Sequence, residues 1–103
     1  MNMELRPMLS NDSIVVVSPD QVSSDLAGEV VMLNLKNGTY YGLDEVGAHV
    51  WALIQEPRAV AAIRDSILAE YDVEPERCEQ DLLALLGDLA DNGLIEVRDE
   101  WSA

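Results

Sequence analysis

"LNLKNGTYYGLDEVGAHVW", residues 33–51, is the stretch whose reading decides the fold. Asn37-Gly38 is a preferred pair for a two-residue hairpin turn, because both residues tolerate positive φ. Ahead of it, residues 29–36 alternate, with Val31, Leu33 and Leu35 on one side and Val30, Met32 and Asn34 on the other, and so read as a strand. Behind it, "TYYGL" (39–43) reads as the returning strand. A two-residue turn sets Leu35 opposite Tyr40 and Asn34 opposite Tyr41. The chain then runs directly into a helix. Asp44 is a good N-cap, and Val46, Val50, Leu53 and Ile54 repeat at helical spacing, with Trp51 broadening the apolar face. The stretch holds no nucleophile–base pair, metal-ligand cluster or phosphate loop.

Working outward, "SIVVVS" (13–18) is a short β-branched run and reads as a first strand. Residues 18–28 are rich in turn formers and read as a connecting loop punctuated by Pro19 and Gly28. Beyond Pro57, a second helix over 59–70 buries Val60, Ile63 and Ile67, with Leu68 alongside. A third starts at Pro75 and stops near Gly93, which suits a left-handed cap, and "LIEV" (94–97) returns as a short strand or wing. On the third helix, Cys78, Leu82, Leu85 and Leu89 form one stripe and Leu83, Leu86 and Ala90 a second. Together they span roughly 160°, more than the ~100° that packing on a small core requires. One reading gives the excess to a fuller core; the other leaves part of the face for a partner.

The chain has 103 residues, 49% of them apolar, which suits one globular domain, read over 13–97 with loosely attached, flexible ends at 1–12 and 98–103. No apolar run is long enough to span a bilayer, and no secretion signal is read at the N-terminus. A single cysteine cannot form an internal disulfide, so the expected address is cytoplasmic. Six basic residues face 20 acidic ones, for a net charge of −14. That field repels nucleic acid and anionic lipid and attracts a basic partner, although solubility alone also accounts for it.

Catalytic readings find little support. His49 is the only histidine, and no Ser or Cys lies near it in sequence. Cys78 sits on an apolar stripe between Glu76 and Glu79, which raise rather than depress a thiol pKa. One Cys and one His do not make a structural zinc site, "DVEPERCEQD" (72–81) lacks the glycine of a calcium loop, and Gly42 and Gly47 form no dinucleotide fingerprint. No metal or cofactor is therefore expected. A small hydrolase built on Cys78 and His49 is the distant alternative. A DNA-binding winged helix is the other rival, but residues 72–91 hold seven acids and only Arg77 as a base. The two tyrosines are the better lead. If their strand is a sheet edge, its free N–H and C=O groups accept an extended peptide beside the wide apolar helix.

"LNLKNGTYYGLDEVGAHVWALI" (33–54) and the closing "LLGDLADNGLIEV" (85–97) resemble the PqqD-like family, the leader-peptide recognition elements of ribosomally made, modified peptides. The pattern "LNxxxGxYYGLDEVGxxVW" is most similar to the stand-alone recognition proteins of lasso-peptide biosynthesis. The resemblance implies an α+β, winged helix-turn-helix-like domain, with a three-stranded antiparallel sheet followed by three helices. It implies a non-catalytic adaptor that takes a precursor's leader as an added strand between the third strand and the third helix. By that resemblance the edge is Thr39–Leu43 and the helix wall is Cys78, Leu82, Leu85 and Leu86. Leu33, Leu35, Tyr40 and Tyr41 become candidates for the pockets that seat a Tyr-x-x-Pro motif, with Asp81 and Asp88 for basic leader residues. The implied partners are the precursor peptide and a separate leader-removing cysteine protease, followed by an ATP-dependent cyclase. The family alternative is a chaperone of the pyrroloquinoline-quinone type, presenting a precursor to another modifying enzyme such as a radical SAM enzyme. A monomer or an edge-paired homodimer both suit an open strand.

Overall fold

The computed structural model describes residues 9–98. In chain order the elements are β1 (Ile14–Val17), β2 (Gln21–Leu26), β3 (Glu29–Asn34), β4 (Tyr40–Leu43), α1 (Glu45–Leu53), β5 (Arg58–Ala59), α2 (Val60–Glu70), α3 (Pro75–Asp91) and β6 (Ile95–Arg98). This is the α+β, winged helix-turn-helix-like arrangement, with antiparallel sheets and three helices. One sheet has the order β2-β3-β4 and the other β5-β1-β6. Among the described residues, no helix is long and apolar enough to cross a membrane.

Two strand assignments need correction. Residues 18–28 are not simply a loop, because β2 pairs with β3 along its whole length, from Gln21–Asn34 to Leu26–Glu29. Its residues Val22 to Leu26 are all exposed, so no buried alternation marks it in the sequence. The two-residue turn with both φ values positive is here, at Ala27 (57°) and Gly28 (90°). The first strand, β1, does not join the β2-β3-β4 sheet. It pairs with β6 (Val15–Val97) and with β5 (Ile14–Ala59), tying the start of the described chain to its end. Residues 9–12 lead into β1 with Leu9 packed on the core and the Asn11 carbonyl accepting from the Ala61 amide.

The β3–β4 hairpin forms, but its register is two residues off the expected one. Leu33 faces Tyr40 and Met32 faces Tyr41. The cause is Asn34, whose buried side chain takes over the turn. Its Oδ1 accepts from the amides of Lys36 (2.8 Å) and Asn37 (3.3 Å), and its carbonyl accepts from Gly38. Of the Asn37-Gly38 pair only Gly38 takes a positive φ, 74°. A side chain that caps the turn lengthens it beyond two residues.

The helices begin and end where local chemistry dictates. Asp44 Oδ1 accepts from the Gly47 amide at 2.9 Å and starts α1. Pro75 opens α3, and Gly93 (φ 71°) closes it in a Schellman motif, with Leu94 N–H on Leu89 O and Gly93 N–H on Ala90 O. The core lies between the β2-β3-β4 sheet and the helices. Met32, Val50, Ile54, Ile63, Leu86 and Leu89 are fully buried in it. Asn34 Nδ2 also donates to the Asn92 carbonyl at 2.8 Å, which pins the hairpin to the end of α3.

Asn34→Ala removes the three side-chain bonds, to the Lys36 and Asn37 amides and the Asn92 carbonyl, and leaves a small cavity where the buried amide stood. The expected loss is about 2–3 kcal/mol, read as a lower urea midpoint at unchanged m-value. A wild-type midpoint would show that the turn amides and the Asn92 carbonyl do not depend on Asn34.

Candidate peptide-binding cleft

The order β2-β3-β4 leaves β4 at the sheet edge. The Asn34 amide bonds to the Thr39 carbonyl at 2.9 Å, so 34–39 is a bonded pair of the ladder. In an antiparallel ladder bonded and non-bonded pairs alternate, so Met32–Tyr41 and Val30–Leu43 exchange the next bonds. Tyr40 and Gly42 therefore point their N–H and C=O groups away from β3, at the open edge. Two residues of ready-made strand template face outward there.

The same alternation divides the side chains. Tyr41 and Leu43 lie on the inner face with Met32 and Val30, while Tyr40 and Gly42 lie on the outer face with Leu33 and Val31. On the inner side a cleft of about 570 Å³ opens between β4 and α3. Tyr41 and Leu43 form one wall, continued by Val46 and Val50 of α1. Cys78, Leu82 and Leu85 form the other, and Ile67 and Val73 close the end. Val46 and Val73 are exposed although apolar.

Charge sits on the rim. Asp81 lines the cleft and makes an exposed i,i+4 pair with Arg77 at 3.6 Å, a geometry that contributes little to stability. Tyr41 OH reaches toward Asp88 Oδ2 at 3.5 Å, a long contact that bridges β4 and α3. Burial first, then the Asp88 carboxylate, pushes the Tyr41 phenol above its ordinary value. Burial also pushes the Cys78 thiol up. Arg64 opposes this, while Asp81 and Glu79 add to it.

Of the expected site residues, Tyr41, Leu43, Cys78, Asp81, Leu82 and Leu85 come together around the cleft, with Asp88 beside it. Leu86 lies behind the wall, fully buried in the core. Leu33 and Tyr40 are on the opposite face, Leu35 is exposed in the turn, and Thr39 ends that turn with its amide on Asn37 Oδ1. These four side chains do not line the cleft. Val46, Val50, Ile67 and Val73 were not expected there, since helical periodicity assigns the first three to the core without showing where the core opens. His49 Nε2 lies 2.9 Å from Ser66 Oγ and its ring stands edge-on to Tyr71, a pairing across helices that sequence neighbours do not reveal.

The family model for coenzyme PQQ synthesis protein D (PqqD) matches residues 29–95. The solved structure of TbiB1 in complex with the TbiA(beta) leader peptide is 42% identical, with a TM-score of 0.74 over 79% of this chain and 94% of that one. Lasso peptide synthetase B1 complexed with the leader peptide has the same fold at 23% identity, with a TM-score of 0.71 over 80% of this chain and 96% of that one. No curated protein matches the chain.

A raised thiol pKa means little thiolate at neutral pH. Alkylation of Cys78 by iodoacetamide at pH 7.5 is expected to run at least about tenfold slower than that of an unstructured cysteine peptide, and to accelerate as pH rises past the ordinary thiol value. Fast alkylation at neutral pH would instead favour a reactive, hydrolase-like cysteine.

Proposed function

The chain belongs to the PqqD family, and on that premise we propose that it is a leader-binding adaptor of lasso-peptide type. It takes the precursor's leader as a strand along the open edge of β4, at Tyr40 and Gly42, and seats alternate leader side chains in the cleft against α3. The observation that carries this reading is the coincidence of a free strand edge with an apolar cleft directly beside it. Main-chain bonds then supply register and affinity, and the cleft selects side chains. The acids at its rim, Asp81 and Asp88, attract a basic segment. A net charge of −14 opposes the pairing of two copies through the same edge, so the working state is a monomer.

The adaptor delivers the leader to a separate cysteine protease, and holding both raises the effective concentration of the cleavage site. The outer face of the β2-β3-β4 sheet supports such a second contact. Tyr40 is 71% exposed there, Leu26 and Leu35 58% each, and Val22 52%, an apolar grouping that no element of this fold covers among the described residues. Presentation to a radical SAM enzyme, as in a chaperone of pyrroloquinoline-quinone type, uses the same cleft with a different client.

Titration of a fluorescent Tyr-x-x-Pro leader, against a control with both motif residues replaced by alanine, tests the binding step. The motif peptide is expected to saturate and the control to lose binding. Leu85→Asp, at a half-buried wall position, is expected to weaken the motif peptide by at least about tenfold by placing a charge in the apolar cleft. Wild-type affinity in a folded Leu85→Asp variant would place the peptide elsewhere. For delivery, Val22→Lys with Leu26→Lys is expected to leave leader affinity unchanged while slowing leader removal in an assay containing the protease. Unchanged processing would release the outer face from that role.

A further inference from the structure

Among the residues that line the cleft Arg77 is the one base, and the fold itself makes little use of it. It is the third residue of α3, beside the positive end of the helix dipole, where a cation is disfavoured. Its ionic contact runs from Nε to Asp81 Oδ2 at 3.6 Å, with the two side chains 75% and 73% exposed. A base four residues ahead of an acid is also the weaker order for such a helical pair. Among the described residues every other cation has a closer acceptor. Lys36 reaches Asp20 at 3.2 Å, and Arg58 donates to the Leu53 carbonyl at 3.0 Å. Arg64 holds Asp65 at 3.2 Å and Arg98 holds Glu96 at 3.3 Å. The terminal nitrogens of Arg77, four N–H donors in a planar fork, find no acceptor at hydrogen-bonding distance among the described residues.

The cleft is thus marked by opposite charges at its two ends. Asp88 stands by Tyr41 at one end, and Arg77 stands with Val73 at the other. The rise of α3 between them is about 16 Å, which an extended peptide spans in about five residues. β4 runs from the Asp88 end toward the Arg77 end. Every strand pairing among the described residues is antiparallel, and a strand added antiparallel to β4 enters at Arg77 and leaves at Asp88. We infer that Arg77 binds the carboxylate of an Asp or Glu side chain near the N-terminal end of the bound peptide, and so sets the direction in which the strand lies. The inference rests on strand addition at β4. A chain of net charge −14 repels a peptide carboxylate over most of its surface, so an acid is accepted only where it faces this guanidinium. The fork matches a carboxylate with two parallel N–H···O bonds. A reversed strand brings the peptide's acid to Asp88 and its base to Arg77, two like-charge contacts in place of two matched ones.

The test uses the TbiA(beta) leader peptide with glutamate and glutamine substituted in turn at each position, titrated into wild type, Arg77→Gln, Asp88→Asn and Arg98→Gln. Glutamine keeps the size of glutamate without its charge. Arg98, paired with Glu96 on β6, gives the same change of net charge outside the cleft. On wild type one position is expected to prefer glutamate over glutamine by about fivefold at low ionic strength, and by less at high. Arg77→Gln is expected to abolish that preference and Arg98→Gln to keep it. Asp88→Asn is expected to relieve a penalty on glutamate about five residues further toward the peptide's C-terminus. Arg77→Gln itself is expected to melt at or above the wild-type temperature, since it removes a cation from a helix N-terminus. Equal loss of the preference in Arg98→Gln reduces the effect to net charge and overturns the inference. So does the lack of any position that prefers glutamate, or a preference on the C-terminal side of the Asp88-coupled position. A clear drop in the melting temperature of Arg77→Gln overturns it too, by giving Arg77 a role in the fold. Failure of the parent peptide to bind wild type removes the proposed function, and the inference falls with it.

Discussion

The hydrogen bonds of Asn34 are the constraint on which the rest of this arrangement depends. A single buried amide, at the end of β3, caps the turn through Oδ1 and holds the Asn92 carbonyl, at the end of α3, through Nδ2. The first set fixes the β3–β4 register, and with it which residues of β4 face inward. The second fixes where α3 ends relative to the sheet, and so how wide the cleft stands. Gly93 shares in this, because a Cβ there would lie 2.8 Å from Asn34 Nδ2, and its positive φ is what lets the chain turn from α3 into β6. Shifting the pairing by one residue would send Tyr41 and Leu43 outward and empty the cleft wall.

Much of this was legible in the sequence where one local signal dominated. Asp44, Pro75 and Gly93 mark helix ends through chemistry that acts within a few residues, and each marks its helix correctly. The wide apolar face of α3 was legible too. Its two uses sort by depth, with Leu86 and Leu89 in the core and Leu85 in the cleft. What was not legible had its cause far away in the chain. Asn34 looks like an ordinary inner-face strand residue until Asn92 is placed beside it, so its turn-capping role is hidden and the hairpin reads two residues out of register; a shift of two keeps every side chain on its face, and Leu33, Leu35 and Tyr40 fall on the side opposite the cleft. β2 carries no buried alternation because its side chains are exposed on both faces from Val22 to Leu26, and only its pairing with β3 makes it a strand. β1 is apolar and β-branched wherever it goes, and nothing in it says which of two sheets it joins.

The charge distribution has a consistent physical sense. The apolar walls of the cleft are bordered by Asp81 and Asp88, and the whole chain carries −14. Exposed acids of this kind contribute little to the strength of a contact once it is made, but they bias which segments approach and how often. They also protect the edge. An uncovered strand is a template for any extended chain, and natural proteins limit this by keeping such strands short and charged. Here β4 has four residues and only Tyr40 and Gly42 turn their main-chain groups outward.

In the strand-addition mode proposed above, that shortness decides how binding must be divided. Two residues with one N–H and one C=O each offer four main-chain hydrogen bonds, at about 0.5–1.5 kcal/mol net apiece. Their sum, about 2–6 kcal/mol, reaches only the low end of the about 4–15 kcal/mol lost when two molecules become one. Strand pairing alone therefore leaves most extended peptides unbound, which is what keeps an open edge from being promiscuous. The surplus has to come from side chains that lose water on binding, at about 25 cal/mol per Å² of apolar surface. A cleft of about 570 Å³ has room for a few large side chains, and Val46, Val50, Ile67, Leu82 and Leu85 in its lining give them apolar contacts. In the proposed binding mode, sequence selectivity follows from the weakness of the edge, because only a peptide whose alternate residues fill the cleft would gain enough to stay.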